Sequence, residues 1–190
     1  MKPDPEIQYP IHDLLSKRWS PRAFSNKSIE SGKVLSLFEA VRWSASSRNE
    51  QPWRFIYATK ENKEGWDKLL SCLAEWNQSW AKTADLLILT MAKMNYDYKN
   101  MPNEHAYFDL GLGLGNMSTQ ATSMGIYLHH MGGFNAEKAI ELFGIMEPLK
   151  PVSMIAGGYP GDIKHIPEDI AADEYKAQER ILVDEFILEA

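Results

Sequence analysis

The apolar positions of the chain follow two spacings, one typical of helices and one typical of strands. Residues 34–43 place apolar side chains at helical intervals, which predicts an amphipathic helix. Residues 53–59 alternate in a β-rich sequence, which predicts a strand. Residues 84–90 are continuously apolar and residues 151–160 are again β-rich. Both are predicted strands, and the first should be buried at the centre of a sheet.

Shorter patterns fill the stretches between these elements. Residues 11–15 predict a short helix, residues 66–76 a helix and residues 126–130 a short strand, while Asn135 caps a helix that continues to Phe143. The helical residues expected to face the core are Val34, Leu35, Phe38, Val41, Arg42, Leu69, Leu70, Leu73, Trp76, Ala139, Ile140 and Leu142. Cys72 lies on a leucine-rich helix, where a single cysteine is usually an inert core residue.

The longest helical pattern covers residues 102–125. Pro102 suits its first turn and Glu104 suits its positive end. Interior glycines cost about 1 kcal/mol each relative to alanine, so a close helix contact must compensate for them. We interpret Gly111, Gly115 and Ser118 as a helix-crossing seam, because no strand precedes them as a nucleotide-binding loop requires. The other positions expected to be buried on this helix are Phe108, Leu112, Thr119 and Thr122.

A polar stretch separates the 34–43 helix from the 53–59 strand. Its residues 45–51, here called the serine loop, carry hydroxyl, guanidinium and amide groups, and a tryptophan stands on either side of them. Pro52 fixes its own φ and moves Gln51 out of the helical region. A simple connection needs fewer polar groups than this. The composition suits a planar ligand with polar edges, although a plain polar loop is the alternative.

A second polar stretch lies near the N-terminus. Arg18 and Arg22 flank Ser20 in residues 18–23, here called the arginine segment. Guanidinium groups and a hydroxyl are natural phosphate ligands. The alternative is a solvated basic turn. His129 and His130 are also adjacent, but neighbouring strand residues point to opposite faces and no third ligand is nearby, so no metal site is predicted.

Composition restricts the class of protein. The 190 residues favour one domain, and the net charge of −6 with mixed signs argues against a binder of nucleic acid or membrane surfaces. One cysteine excludes an intramolecular disulfide. The first residues lack the apolar core of a signal peptide, and no run approaches the roughly 20 apolar residues of a membrane span. A cytoplasmic protein is expected.

Both polar stretches resemble motifs of the FMN-dependent nitroreductase family. The serine loop and the two residues after it are similar to that family's Pro-Ser-Ser-x-Asn-x-Gln-Pro-Trp, with Ala45 in place of the first proline. The arginine segment is similar to the family's Arg-x-Ser-x-Arg. The resemblance implies that Arg18, Ser20 and Arg22 hold the FMN phosphate and ribityl chain, and that they reach the edge of the flavin pyrimidine.

Later segments carry weaker resemblances to the same family. Asn77 stands where the family often has a flavin-contacting asparagine, with a helix C-cap as the alternative. Gly132 and Gly133 resemble a segment whose backbone meets flavin N5, although Gly132 replaces a glutamate of some branches. A basic residue of the tail completes the family's phosphate site. Arg180 is the candidate, with Lys176 behind it. Residues 91–101 are expected to help cover the flavin.

The resemblance implies an α+β, nitroreductase-like fold: a central, mostly antiparallel sheet flanked by helices, in an intertwined homodimer with FMN at the interface. A core of about residues 10–160 carries a C-terminal extension, residues 161–190, within a single domain. The residues implied to bind the cofactor are Arg18, Trp19, Ser20, Arg22, Ala45, Ser46, Ser47, Asn49, Gln51, Asn77, Gly132, Gly133 and Arg180.

The implied activity passes two electrons from NAD(P)H to a nitroaromatic, a quinone or a similar small-molecule acceptor, by a ping-pong mechanism. The flavin carries the chemistry, so no catalytic side chain is expected. Two alternatives stay open: a non-enzymatic carrier of flavin or another small ligand, and a structural dimer without a ligand.

Overall fold

Four antiparallel strands form one sheet in the order β1-β2-β4-β3. They are β1 (Trp53–Thr59), β2 (Leu86–Lys93), β3 (Tyr127–Met131) and β4 (Leu149–Gly158). The structure, a computed structural model, describes residues 5–98 and 100–189. Ile88 pairs with Tyr57 on one side and with Ile155 on the other, so β2 is a central strand. The predicted strands are all present, with β2 beginning and ending later than the 84–90 run.

Seven α-helices accompany the sheet in the described residues, together with short 3-10 turns at Ser47–Asn49, Ile163–His165 and Val183–Glu185. The α-helices are α1 (Asp13–Lys17), α2 (Ser31–Arg42), α3 (Lys63–Cys72), α4 (Glu75–Ala81), α5 (Ala106–Ser123), α6 (Ala136–Phe143) and α7 (Glu168–Glu174). Asn135 caps α6 as predicted, because its side chain accepts a hydrogen bond from the amide of Lys138. Pro102 does not begin α5. It pairs with Asn95 in an isolated bridge, and the side chain of Asn103 then bonds the amide of His105 before the helix starts.

The sheet is covered on both faces, which explains the continuous apolar run of β2. Leu87 and Leu89 lie in a core with α3 and α4, whereas Leu86 and Ile88 lie in a second core with α2 and α5. Successive side chains of a strand point to opposite faces, so a strand buried on both faces needs apolar residues at every position.

Several predicted core residues are exposed. The predicted helix 66–76 is two helices, since Leu73 is extended between α3 and α4, and Trp76 is 52% exposed on the second helix. On α2 the buried face is Val34, Leu37 and Val41, while Leu35 is 60% exposed and Arg42 is also exposed. The prediction was therefore right at Val34 and Val41 and wrong at Leu35 and Arg42, while Phe38 is half-buried against the core. Ile140 and Leu142 of α6 are exposed as well.

Helix α5 packs against α2 at Gly113, a glycine outside the predicted seam. A Cβ atom on Gly113 would lie 2.8 Å from Cγ1 of Val41 on α2, so only glycine allows this approach. A Cβ on Gly111 or Gly115 would meet nothing within 4 Å. The predicted buried residues Phe108 and Leu112 are exposed too, whereas Thr122 is buried as predicted. The rest of the buried face is made by other α5 residues: Ala106, Asp109, Leu110, Gly113, Met117 and Ala121.

The ends of the chain lie over this core. Residues 6–9 are exposed, as predicted for the start of the chain, and residues 1–4 lie outside the described range. The structure describes residues 91–101, which were expected to help cover the flavin, except for Lys99. It describes the C-terminal extension up to residue 189. Phe24, the residue after the arginine segment, pairs in an isolated bridge with Pro160, which lies two residues after the end of β4. Every described helix is too short or too polar to cross a membrane.

Candidate functional site

Two guanidinium groups meet at the arginine segment. Arg18 donates from Nη2 to Oε1 of Gln178 at 3.3 Å, and Arg180 donates from its own Nη2 to the same oxygen at 2.9 Å. Nη1 of Arg18 lies 3.4 Å from Oγ of Ser20. The structure therefore brings Arg18, Ser20 and Arg180 together. Lys176, the second candidate in the tail, instead pairs with Asp173 at 2.5 Å.

The electrostatics of this cluster favour an anion. Burial lowers the pKa of Arg18 from its ordinary value, and the positive charge of Arg180 lowers it further. Among residues 5–98 and 100–189, neither guanidinium forms an ion pair with a carboxylate. A phosphate between them would relieve both the desolvation and the repulsion, and it would receive charge-assisted hydrogen bonds.

Arg22 has one buried donor with no acceptor in the described chain. Its guanidinium lies over the ring of Trp76 at 5.3 Å from the centroid, and its Nε atom is buried without a hydrogen-bond partner. Unpaired buried donors are rare in folded proteins and costly. The exposed position of Trp76 on α4 thus has a local reason, since its ring packs on Arg22. Trp19, also in the segment, packs its ring against Tyr127 at 5.9 Å.

Asn77 joins α4 to the glycine pair. Its Nδ2 donates to the carbonyl oxygen of Gly133 at 2.9 Å, and a Cβ on Gly133 would lie 2.9 Å from the same nitrogen. Asn77 is buried in the interior of α4, so the helix C-cap alternative is wrong. Gly132 and Gly133 are both exposed, beyond the end of β3. This backbone is open to a ligand.

The two histidines of β3 hold neighbouring elements and point to opposite sides. Nδ1 of His129 lies 3.1 Å from the carbonyl oxygen of Ser20 and 3.0 Å from that of Pro21, so its N–H donates to the arginine segment. Burial lowers the pKa of His129 to about 4, so the ring is neutral at pH 7. Nε2 of His130 lies 3.1 Å from Oγ of Ser118 on α5. Both histidines thus have structural partners.

The serine loop has a constrained backbone. Arg48, Asn49 and Gln51 have φ values of 54°, 58° and 49°, in the left-handed region that side-chain-bearing residues rarely adopt. Each such residue costs on the order of 1–3 kcal/mol and persists only when surrounding contacts impose it. The amide of Gln51 donates to Oγ of Ser46 at 3.0 Å, which closes the loop on itself. Ala45, which stands where the family motif has its first proline, is exposed.

Contacts from two other elements fix this loop. The amide of Ser47 donates to Oδ2 of Asp109, a buried carboxylate in the first turn of α5, at 3.0 Å. Oγ of Ser47 lies 3.3 Å from the hydroxyl of Tyr96, in the segment after β2. The same segment bonds the loop again through the amide of Asp97 and the carboxylate of Glu50 at 2.9 Å. These hydrogen bonds connect the loop to α5 and to the segment after β2.

The predicted site residues fall into two groups at opposite edges of the sheet. The serine loop leads into β1, and the arginine segment contacts β3 through His129. Three strand spacings of roughly 4.8 Å place these edge strands about 14 Å apart. The first group is Arg18, Trp19, Ser20, Arg22, Asn77, Gly132, Gly133 and Arg180, and the second is Ala45, Ser46, Ser47, Asn49 and Gln51.

Four site-forming side chains escaped the sequence patterns. Asp109 and His129 support the two groups from α5 and β3, and Glu174 and Gln178 support the arginine segment from the extension. Each acts on residues far away in sequence, so no local motif marks it. The histidine pair was noticed only as a metal candidate.

Comparison with known proteins gives a family and several relatives. The family model described as "Nitroreductase family" matches residues 15–159. A solved structure described as an oxidoreductase containing FMN superposes with a TM-score of 0.92 at 30% identity, over 97% of this chain and 94% of that chain.

Two curated relatives are similar in sequence. An uncharacterized 15.4 kDa protein in the ask 5' region of Mycolicibacterium smegmatis is 28% identical over 138 residues, which is 70% of this chain and 92% of that protein. The major NAD(P)H-flavin oxidoreductase of Aliivibrio fischeri is 32% identical over 87 residues, which is 45% of this chain and 40% of that protein.

Proposed function

Since the chain belongs to the nitroreductase family and has its fold, we propose that it is an FMN-dependent oxidoreductase that passes two electrons from NAD(P)H to a small acceptor. The acceptor class is a nitroaromatic, a quinone or a similar compound. When bound, FMN supplies the two-electron chemistry, and the side chains described above supply position and electrostatics. A cytoplasmic location stays a prediction.

The observation that carries this proposal is the pair of guanidiniums on Gln178. Arg18 and Arg180 point at one neutral oxygen, with no carboxylate between them in the described chain, although the protein as a whole carries a net charge of −6. A phosphate monoester matches such a site in charge and in hydrogen-bond capacity. The hydroxyl of Ser20 adds a donor beside Arg18.

Other residues near the arginine segment match the chemical groups of a flavin ring. Arg22 keeps a buried Nε–H without an acceptor, and a flavin pyrimidine edge offers carbonyl oxygens and a ring nitrogen. Its positive charge would stabilise negative charge on a reduced flavin. Gly132 and Gly133 leave backbone accessible to a flat ring. No side chain is needed as a proton donor in this proposal.

We further propose that the second group, the serine loop, serves the site of another copy of the chain. The exposed face of α5 supports this, because Phe108 is 66% exposed, Leu112 is 40% exposed, and Gly111 and Gly115 leave open space. Contiguous apolar surface with small residues suits a close helix crossing between two protomers. The homodimer would then place the serine loop of one protomer against the arginine segment of its partner.

The proposed kinetics are ping-pong, with donor and acceptor taking turns in one place. The Gly132-Gly133 segment is open, and the chain contains no dinucleotide-binding fingerprint that would give NAD(P)H a domain of its own. Initial rates at several acceptor concentrations should give parallel double-reciprocal lines. Intersecting lines would require a second site for the nicotinamide.

The direct test is anaerobic reduction of the FMN-loaded protein. Purified protein is incubated with FMN, freed of excess flavin by desalting, and mixed with NADH or NADPH without oxygen. The flavin absorption should persist after desalting, bleach with one equivalent of donor, and return when a quinone or a nitroaromatic is added. Retained flavin that does not bleach would identify a carrier. Complete loss of flavin on desalting at micromolar protein would contradict both proposals.

A further inference from the structure

The C-terminal extension reaches the arginine segment through a buried carboxylate. Glu174 is the last residue of α7 and is only 3% exposed. Its Oε1 accepts hydrogen bonds from two consecutive backbone amides, that of Arg22 at 2.8 Å and that of Ala23 at 3.2 Å. A buried carboxylate is costly unless hydrogen bonds offset its lost hydration. Here both donors belong to the segment that carries the guanidiniums.

Gln178 makes a second connection a few residues later. Its Oε1 accepts from the side chain of Arg18 at 3.3 Å and its Nε2 donates to the backbone carbonyl of Arg18 at 3.4 Å. The same Oε1 accepts from Arg180 at 2.9 Å. Gln178 therefore touches both the backbone and the guanidinium of the residue that starts the segment.

On its other side the segment is held by β3. His129 donates from Nδ1 to the carbonyl oxygens of Ser20 and Pro21. Between Arg18 and Ala23, backbone groups are thus fixed by side chains from β3 and from the extension. Irregular backbone has no ladder of its own, so these side-chain bonds set the direction of the neighbouring side chains.

We propose that Glu174 and Gln178 are positioning residues, which fix the arginine segment so that Arg18 and Arg22 present their guanidiniums to the flavin phosphate and ring. The inference rests on the proposed function. It assigns the extension a role beyond supplying Arg180. Glu174 acts through the backbone amides of Arg22 and Ala23, and Gln178 acts through Arg18.

The first test compares three variants in FMN affinity, measured by quenching of flavin fluorescence on titration of apoprotein. Glu174→Ala leaves the buried amide of Ala23 and the part-buried amide of Arg22 without this acceptor, and the Kd for FMN should rise about tenfold or more. Glu174→Gln keeps an acceptor oxygen and should stay within about threefold of wild type. Asp173→Ala is the matched control, because it removes the neighbouring exposed carboxylate and should also stay within about threefold.

These variants separate position from charge. If Glu174 acted only as a negative charge near the phosphate, Glu174→Gln and Asp173→Ala would both tighten FMN binding, and Glu174→Ala would tighten it as well. That pattern would overturn the proposal. An unchanged Kd in Glu174→Ala would overturn it too.

A readout in the apoprotein keeps this test separate from the proposed function. Amide hydrogen exchange of Arg22 and Ala23 should be about tenfold faster or more in Glu174→Ala than in Glu174→Gln. The amide of Ser25, which bonds the carbonyl of Tyr159 at 2.9 Å, is the internal control and should change little. If all amides accelerate together, the variant is generally destabilised and the positioning role is refuted. If the two amides exchange faster in Glu174→Ala but the wild-type protein binds no FMN, the proposed function is refuted while the positioning of the arginine segment by Glu174 stands.

Gln178→Glu gives an independent test that does not risk the fold. The new carboxylate would pair with Arg18 and Arg180 in place of a phosphate. The Kd for FMN should rise about tenfold or more while the Kd for riboflavin, which lacks the phosphate, changes by less than about threefold. Equal loss of both ligands, or no loss of either, would overturn the role of Gln178.

Discussion

Replacing Arg18 with alanine isolates the contribution of the paired guanidiniums to FMN binding. Within the described residues, the hydrogen bonds of the Arg18 side chain are both long, at 3.3 Å to Gln178 and 3.4 Å to Ser20. Burial and the charge of Arg180 lower its pKa, which means that its environment disfavours the charged form. The free protein should therefore lose little stability when the guanidinium is removed.

The effect on the ligand should be much larger. A hydrogen bond to a charged group contributes about 1.5–3 kcal/mol, which corresponds to about a tenfold to 150-fold increase in Kd for FMN. Riboflavin lacks the phosphate and should bind Arg18→Ala nearly as well as wild type. The ratio of the two affinities then reports the phosphate contact alone, whatever happens to the fold.

The assay is titration of apoprotein with each flavin, followed by fluorescence, at low and at moderate salt. Lys17→Ala is the matched control, since it removes a neighbouring positive charge that pairs with Asp13 at 3.1 Å on an exposed surface. It should keep the wild-type preference for FMN over riboflavin. An Arg18→Ala protein with the same preference would show that the phosphate binds elsewhere.

Three further perturbations test other parts of the site and the fold. Gly115→Leu should overpack the proposed dimer contact at a cost of about 1–3 kcal/mol, so light scattering should shift toward the mass of a monomer and FMN should be lost. Gly32→Leu, on the exposed face of α2, is the control and should change neither. A dimeric, flavin-bound Gly115→Leu would place the contact elsewhere. Asp109→Ala removes the acceptor for the Ser47 amide and should lower the free energy of unfolding in urea by about 1–3 kcal/mol. Asp109→Asn keeps an acceptor oxygen and should lower it less. Equal losses in the two variants would argue against this hydrogen bond. The pKa of His129 falls from 6.5 in the unfolded chain to about 4 in the folded one. The neutral ring therefore supports the folded state fully above pH 6.5, and this stabilisation is lost as the pH falls toward 4. As the pH falls from 6.5 to 4, the free energy of unfolding should therefore drop by up to about 3 kcal/mol more in wild type than in His129→Gln. Identical pH profiles of the two proteins would refute the lowered pKa of His129.

Local patterns in the sequence were sufficient for the sheet. Strand β1 matches its prediction at both ends. The continuous apolar run 84–90 predicted a central strand, and the apolar residues of β2 do alternate between the two cores. The two site motifs were also local, since each is a run of polar residues within a few positions. Their backbone contacts could not be read in the same way.

Helix faces were predicted less well, for a physical reason. On α5 the sequence offers glycines at positions 111, 113 and 115, and only packing decides which one meets another helix. In the chain itself it is Gly113, against Val41 of α2. Phe108 was expected to be buried but is 66% exposed. An apolar residue at the helix contact proposed between two protomers would have the same sequence pattern as one in the core.

The supporting residues of the arginine segment were invisible to sequence reasoning. Glu174 lies 152 positions after Arg22, in an acidic stretch that resembles any solvated helix end. His129 invited a metal interpretation, yet its Nδ1 holds backbone carbonyls. Long-range contacts of polar side chains leave no periodicity, so they require the fold.

Complementation between two defective variants tests most directly the claim that one FMN is held by the arginine segment of one chain and the serine loop of another. Arg18→Ala impairs the first, and Asn49→Gly impairs the second without straining a backbone with φ of 58°. The two apoproteins are mixed under conditions that exchange subunits, and FMN occupancy is titrated. If the site is shared, half of the randomly mixed dimers carry one intact site, so about a quarter of all sites should regain wild-type affinity. If both segments serve the same chain, every site keeps one defect, and a titration without any wild-type fraction would contradict the account.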